Sequence, residues 1–162
     1  MDYIDIIVVT YNRIKYIKIF IEFLYLFTNY PFRIIVVDNG SSDGTRDLIL
    51  KLEKDGLIWK HVFNNKNLKL AAAQTKGFNE VESELFVVVD DDMIPPQWKE
   101  ICWLTLLRAK MLQDNNIGSI NLVGARCSFD SFNRKIRPVI YERIKSEGGK
   151  RLKMLRYLHK LL

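Results

Sequence analysis

The sequence predicts an α/β domain: a mostly parallel sheet flanked by helices, followed by a C-terminal β-hairpin and a terminal helix. Three observations lead there. Short runs rich in Val and Ile recur between Tyr3 and Val89 and alternate with longer segments of helical apolar spacing, the pattern of a parallel sheet covered on both faces. Turn-forming residues punctuate the ends of those runs. After Asn116 the pattern changes to two strand-like runs separated by a polar loop, which reads as a hairpin.

Taken in order, Tyr3 to Thr10 (YIDIIVVT) is the first strand. The segment from Ile14 to Thr28 is apolar nearly all round, so it reads as a buried helix. Arg33 to Asp38 is the second strand, followed by the dense turn signal Asn39-Gly40-Ser41-Ser42-Asp43-Gly44. A helix from about Thr45 to Asp55 has Ser42 or Asp43 available as its N-cap. Leu57 to Phe63 is the third strand, Ala71 to Val81 the third helix, Glu84 to Val89 the fourth strand and Gln97 to Leu112 the fourth helix. Ser119 to Arg126 and Ile136 to Tyr141 form the hairpin. In the closing helix from about Lys150, Leu152, Leu155, Leu158 and Leu162 share one face and basic residues the other.

The 162 residues suffice for one domain with a real core. Cys102 and Cys127 are far apart, and His61 and His159 join no cluster. Zinc and disulfide frameworks are therefore not expected, and a reducing, cytoplasmic setting is. Met1 is followed by acidic Asp2 and a strand, so no secretory signal is read. The most apolar run, Ile17 to Phe27, is too short to cross a bilayer and carries Lys18 and Glu22. The net charge of +6 is unevenly spread: residues 134–162 hold ten Lys/Arg against two Glu, or +8, leaving −2 for residues 1–133. That divides the chain into a core, 1–133, and a basic amphipathic segment, 134–162, of the same domain. The tail suits an anionic partner such as the inner face of a membrane. An ordinary surface helix packing its leucines on the sheet is the plainer alternative. No recognition element for nucleic acid accompanies the basic residues, so none is expected as a partner.

The chemistry-bearing residues collect where strands end, and open parallel sheets bind ligands at the carboxyl ends of their strands. Thr10-Tyr11-Asn12-Arg13 follows the first strand, Asp38-Asn39-Gly40-Ser41-Ser42 the second and Asp90-Asp91-Asp92 the fourth. Val87 to Val89 read as a fully buried strand running into three carboxylates. Side chains alternate along an extended chain, so Asp90 and Asp92 face one way and Asp91 the other. The outer pair suits a hard cation, Mg2+ or Mn2+, shared with phosphate oxygens. A solvated acidic turn capping the next helix is the alternative. Together the three clusters describe a nucleotide-diphosphate pocket: an aromatic face, hydrogen-bonding groups and a metal-binding pair.

The blocks IIVVTYNR, IIVVDNGSSDGT, NKNLKLAAAQTKG and VVVDDD, with VGARCSFDSFNRKI after them, resemble family 2 glycosyltransferases of the GT-A (Rossmann-like) fold. The likeness runs from about residue 3 to 137. It implies an inverting, divalent-metal-dependent transfer of a sugar from a nucleotide diphosphate sugar (UDP-, GDP- or dTDP-linked) to a saccharide, lipid-linked or protein acceptor. By position, the resemblance implies that Thr10 and Tyr11 hold the base and ribose, that Asp38 accepts a hydrogen bond from the base, and that Asn39 replaces a frequent second Asp. Asp90 would contact the ribose or a metal-bound water, Asp92 would ligate the metal, and Asp91 is the variable middle residue, expected to be solvated. The third block keeps Asn67, Ala73 and Gly77 but has Lys69 for Gly, Gln74 for Arg and Thr75 for Asn. Lys66, Lys69 or Lys76 would then supply the positive charge that the missing Arg gives. The family's catalytic base is an Asp well beyond the acidic strand end; here Glu142 and Glu147 are the positional candidates, while Asp114 and Asp130 fall in loops. The chain is short for the family and reads as a short or C-terminally truncated member, so a nucleotide-sugar-binding remnant or one half of a split enzyme is the alternative function.

Overall fold

The structure is a computed structural model and describes residues 3–96 and 101–122. Its elements run β1 (Ile4–Thr10), α1 (Ile14–Phe27), β2 (Phe32–Asp38), α2 (Thr45–Lys54), β3 (Lys60–Phe63), α3 (Leu70–Phe78), β4 (Phe86–Asp90) and α4 (Trp103–Gln113). The four strands form one parallel sheet in the order β3-β2-β1-β4. The α/β class, the parallel sheet and the flanking helices thus stand as the sequence predicts. Within the expected hairpin, residues 119–122 carry no strand, and the rest of it, like the terminal helix and the tail, lies outside the described residues.

The described residues fall into two compact units, one comprising 3–17 and 30–91 and the other 18–29, 92–96 and 101–122. The first holds the sheet. In β1 and β2 both faces are dry: Ile6, Val8, Ile34 and Val36 on one side and Ile7, Ile35 and Val37 on the other are all buried. This is why IDIIVVT and RIIVVD read as continuous apolar runs rather than alternating ones. On the second face α3 presses down on β1 and β2, with Ala73 joining Ile7, Ile35 and Val37 in one cluster. The approach is close enough to demand glycine. A Cβ on Gly77 would lie 2.6 Å from Ile7 Cγ2 and 3.1 Å from Val37 Cγ2.

At the amino ends of the strands, Asp5 is buried without exposure. It accepts from Arg33 Nε (2.7 Å) and Nη2 (3.0 Å) and from the Glu82 and Ser83 amides at 2.8 and 2.9 Å. Burial pushes its carboxyl up, but the Arg33 and backbone hydrogen bonds outweigh that and hold it below the usual carboxylate value. Arg33 also stacks 3.5 Å from the Trp59 ring centroid. In the second unit, the stretch of α1 from Ile19 to Phe27 is buried almost throughout, including Phe20, Phe23, Leu24 and Leu26, as an all-round apolar helix must be. Trp103 Nε1 donates to Thr28 Oγ1 at 2.9 Å.

One expectation for β4 needs correction. Val87 to Val89 are not fully buried: Phe86, Val88 and Asp90 are exposed and Val87 and Val89 half-buried. Among the described residues β4 is one of the sheet's two outer strands. Because α3 lies over β1 and β2, Phe86 receives the Phe78 ring at 5.5 Å on that face rather than a packed layer. The boundaries also move. β3 begins at Lys60, although the Trp59 amide already donates to Ile34 O at 2.9 Å, and α3 ends at Phe78, where Asn79 caps it.

Candidate functional site

Strand register decides which residues meet at the carboxyl rim. Thr10 pairs with Asp38, Val9 with Asp90 and Asp38 with Phe63. The chain steps from β1 outward to β2 and β3, then crosses back to lay β4 on the other side of β1. The direction of winding therefore reverses between β1 and β4, the point where open sheets leave a ligand crevice. The first and fourth strand-end clusters flank that reversal, and the second adjoins it through β2.

The loop after β1 is bolted to the loop after β2. Asn12, in the left-handed region at φ 51°, accepts from the Ser42 amide at 2.7 Å, and its own amide donates to Ser41 Oγ at 2.8 Å. Asp43 serves two helices: Oδ2 accepts from the Ile14 amide at the start of α1 (3.0 Å), and Oδ1 from the Thr45 amide and hydroxyl at the start of α2 (3.1 and 2.6 Å). Burial raises the Asp43 pKa, but these bonds outweigh it and the carboxyl is held low. The formal N-cap of α2 is Gly44, yet the capping work falls to Asp43, one of the two residues the sequence offered.

The loop after β2 is fastened in turn to the loop after β3. Gly40 lies at φ 92°, and a Cβ there would come within 2.8 Å of the Lys66 carbonyl carbon. Asp38 is fully buried; the Ser41 amide donates to both its oxygens (3.2 and 3.1 Å) and Arg46 Nε to one of them at 2.8 Å. Arg46 also bonds the Asn64 carbonyl. Asn39 spends its whole amide inside the protein. Its Oδ1 accepts from Asn64 Nδ2 and the Leu68 amide, and its Nδ2 donates to Asn67 Oδ1 and the Lys69 carbonyl. Asn67 Oδ1 also accepts from the Lys69 amide at 2.8 Å. Lys69 itself sits at φ 69° and ψ 169°, a region that suits glycine and strains other residues.

Thr10 is buried, and its hydroxyl donates to Asp91 Oδ2 at 2.7 Å. Arg13 Nη1 donates to Asp91 Oδ1 at 2.6 Å, and the Arg13 guanidinium lies 4.5 Å from the Tyr16 ring centroid. Asp91 is therefore not solvated, as the sequence suggested, but buried in an ion pair. The cause is alternation: with Asp90 sharing the face of Val9, the next carboxylate turns toward Thr10.

The first unit thus brings together Thr10, Tyr11, Asp38, Asn39, Asn67, Lys69 and Asp90 at or just beyond the strand ends, with Gln74 half-buried along α3. Tyr11 is exposed and offers its ring to solvent. Asp92, half-buried, belongs to the second unit and follows Asp91 in the chain. Glu142 and Glu147 lie outside the described residues. Sequence reasoning did not assign Arg46, Asn64 or the Thr10–Asp91–Arg13 contact.

Among the described residues no three His, Cys, Asp or Glu gather into a complete metal cage. The donor chemistry nonetheless fits a hard cation that takes one or two carboxylates and completes its shell with phosphate oxygens and water. Asp91 is committed to Arg13, while Asp90 is exposed at the end of β4.

Residues 5–157 match the family model described as glycosyl transferase family 2. The chain belongs to glycosyltransferase family 2. Among its relatives, chondroitin synthase of Pasteurella multocida is 30% identical over 132 residues, covering 80% of this chain and 13% of the relative. A putative glycosyltransferase of Bacillus subtilis is 31% identical over 98 residues, 60% of this chain and 28% of the relative. This glycosyltransferase-family chain therefore spans well under a third of the length of either. Its fold resembles that of the mannosyltransferase PcManGT from Pyrobaculum calidifontis, solved in complex with GDP-Man and Mn2+. The TM-score is 0.64 at 22% identity, covering 85% of this chain and 38% of the other. It also resembles S. aureus TarS 1-349 in complex with UDP-GlcNAc, with a TM-score of 0.59 at 22% identity, covering 79% and 38%.

Proposed function

We propose that this chain binds a nucleotide diphosphate sugar at the carboxyl rim of its sheet and transfers the sugar to an acceptor hydroxyl with inversion, with the help of Mg2+ or Mn2+. The observation that carries the reading is the strand register, which sets Thr10 beside Asp38 and Asp90 beside Val9 at the carboxyl ends of strands flanking a topological reversal, in a chain of glycosyltransferase family 2. In this reading the exposed Tyr11 ring stacks on the base, and Asp38, buried beneath Ser41 and Arg46 here, would accept a hydrogen bond from the base once uncovered. Asp90 and Asp92 would hold the ion, which when bound neutralises charge developing on the departing diphosphate. In this reading Lys69, just before α3, and the half-buried Gln74, midway along it, face the donor, and the exposed Lys69 ammonium supplies the cation that an Arg gives elsewhere in the family. The UDP-, GDP- and Mn2+-bound relatives in fold support the donor class. Glu142 and Glu147 remain the candidates for the base that deprotonates the acceptor. The basic segment 134–162 suits a lipid-linked acceptor at an anionic, cytoplasmic membrane face.

The replacements Lys69, Gln74 and Thr75 in the third block favour a second reading, a donor-binding module without transferase activity of its own. Release of sugar or nucleoside diphosphate from UDP-, GDP- and dTDP-sugars by the purified chain separates the two. Mn2+-dependent turnover that Asp90→Ala and Asp92→Ala each abolish is the expected result. Donor binding without turnover leaves the binding-module reading, and turnover unaffected by Asp92→Ala refutes the metal assignment.

A further inference from the structure

The variable middle residue of the acidic triplet holds the position that a solvated residue would not. Asp91 is 4% exposed, whereas its neighbour Asp90 lies open at the end of an outer strand. Both of its oxygens are engaged, one by Thr10 Oγ1 at 2.7 Å and the other by Arg13 Nη1 at 2.6 Å. Thr10 and Arg13 bracket Tyr11 and Asn12, so the two anchors of the carboxylate lie on either side of the exposed aromatic ring. The rest of that loop is held from elsewhere: Asn12 by Ser41 and Ser42, Ile14 by Asp43, and the Thr10 carbonyl by the Asn39 amide at 2.8 Å. The contact with Asp91 links this assembly sideways to the end of β4, beside the pairing of Val9 with Asp90.

We propose that Asp91 is a positioning residue for the donor site, fixing the Tyr11 loop against the end of β4 through Thr10 and Arg13. The inference rests on the donor-site reading given above. A buried carboxylate with two charge-assisted or hydroxyl donors makes shorter and stronger bonds than neutral partners do. Neutralising Asp91 with Arg13 also removes the middle charge of a triplet whose three anions would otherwise repel one another. Asp91 does not itself touch the donor in this scheme. Its work is to set the separation between the ring that stacks on the base and the carboxylate of Asp90, and misplacement of about 1 Å at such a site can cost up to about a hundredfold.

Calorimetric titration of UDP, GDP and dTDP in the presence of MnCl2 tests this on the full chain and on Asp91→Asn, Arg13→Gln, Arg13→Lys and the Asp91→Asn/Arg13→Gln double variant. Each is measured well below its own Tm, with folding checked by circular dichroism. Asp91→Asn and Arg13→Gln are expected to weaken the nucleotide that the wild type binds by about tenfold or more, while Arg13→Lys, which keeps the charge but loses the guanidinium seated on Tyr16, weakens it less than Arg13→Gln does. The double variant should be no weaker than the worse single one, because both remove the same contact. Wild-type affinity in Asp91→Asn and Arg13→Gln, with only a lowered Tm, overturns the inference and leaves the pair as scaffold. If Asp91→Asn does not fold, the comparison of Arg13→Gln with Arg13→Lys decides by the same criterion. Absence of binding by the wild type refutes the donor-site reading itself, and the inference with it.

Discussion

Lys69 shows how a single residue can depart from both its family and its own backbone. The third block calls for glycine there, and the backbone obliges, at φ 69° and ψ 169°. Holding lysine in that region costs about 1–3 kcal/mol, offset locally by the Asn67 Oδ1 bond to the Lys69 amide. Lys69→Gly is therefore expected to raise Tm by about 2–4 °C, corresponding to a gain of about 1 kcal/mol once the extra freedom of unfolded glycine is counted. Differential scanning calorimetry checks it, and a lowered Tm contradicts the strain argument. The same variant should bind nucleoside diphosphate more weakly if the ammonium faces the donor. At this scale the sequence was legible wherever a residue type has one outstanding use. Asp38 and the Asn-Gly-Ser-Ser turn announced a strand end, and Gly40 proves necessary there. It was not legible for Asp91 or Asn39, whose roles depend on which loop lies beside them. Asn39 resembles a ligand-facing amide in sequence and turns out to be a four-bonded strut between loops.

The helix α3 illustrates the element scale. Its small residues serve contact rather than flexibility: Ala73 and Gly77 are buried against β1 and β2. A methyl group at Gly77 meets Ile7 Cγ2 at 2.6 Å, and neither strand can retreat while paired on both sides. Gly77→Ala is expected to destabilise by about 1–3 kcal/mol despite the better helix propensity of alanine. Urea denaturation would reveal it as a lower midpoint, and unchanged stability would mean that α3 shifts freely on the sheet. Periodicity located α1, α2 and β1 to within a residue or two because burial and propensity agree there. It overextended β3 and misjudged β4, since a run of valines does not reveal whether a strand is flanked on one side or two. For β4 the position in the sheet, not the composition, sets the exposure.

At the largest scale, the unit that holds the sheet separates a structural end from a candidate functional end. At the amino ends of the strands, the Asp5–Arg33 pair stacked on Trp59 is sealed by backbone donors. Asp5→Asn is expected to cost about 3 kcal/mol at neutral pH, since it takes the buried anion from Arg33 and leaves it only the more exposed Glu82 carboxylate at 3.6 Å. The pH dependence has a definite sign. The folded-state pKa of Asp5 is depressed below its ordinary 3.8, as is that of Asp43. Their stabilisation is complete above the unfolded carboxylate value and is lost as pH falls through the folded ones. Melts between pH 7 and pH 2 should therefore lose Tm below about pH 4, less steeply in Asp5→Asn; an Asp5→Asn profile parallel to wild type would contradict the assignment.

At the carboxyl ends, by contrast, the loops are tied to one another while Tyr11 and Asp90 stay exposed. The overall architecture was legible because strand ends, unlike side-chain contacts, are marked by residue type, and their convergence follows from the parallel winding. The claim that this rim is a metal-dependent nucleotide-sugar site meets its most direct test in a thermal-shift screen of UDP-, GDP- and dTDP-sugars with and without Mn2+. At about 100 times its dissociation constant a ligand stabilises by about 2.7 kcal/mol, a rise of about 5–10 °C for a chain of this size. The account predicts that rise for one nucleotide class, with Mn2+, in the wild type and not in Asp92→Ala. No shift with any donor, or an equal shift in Asp92→Ala, would contradict it.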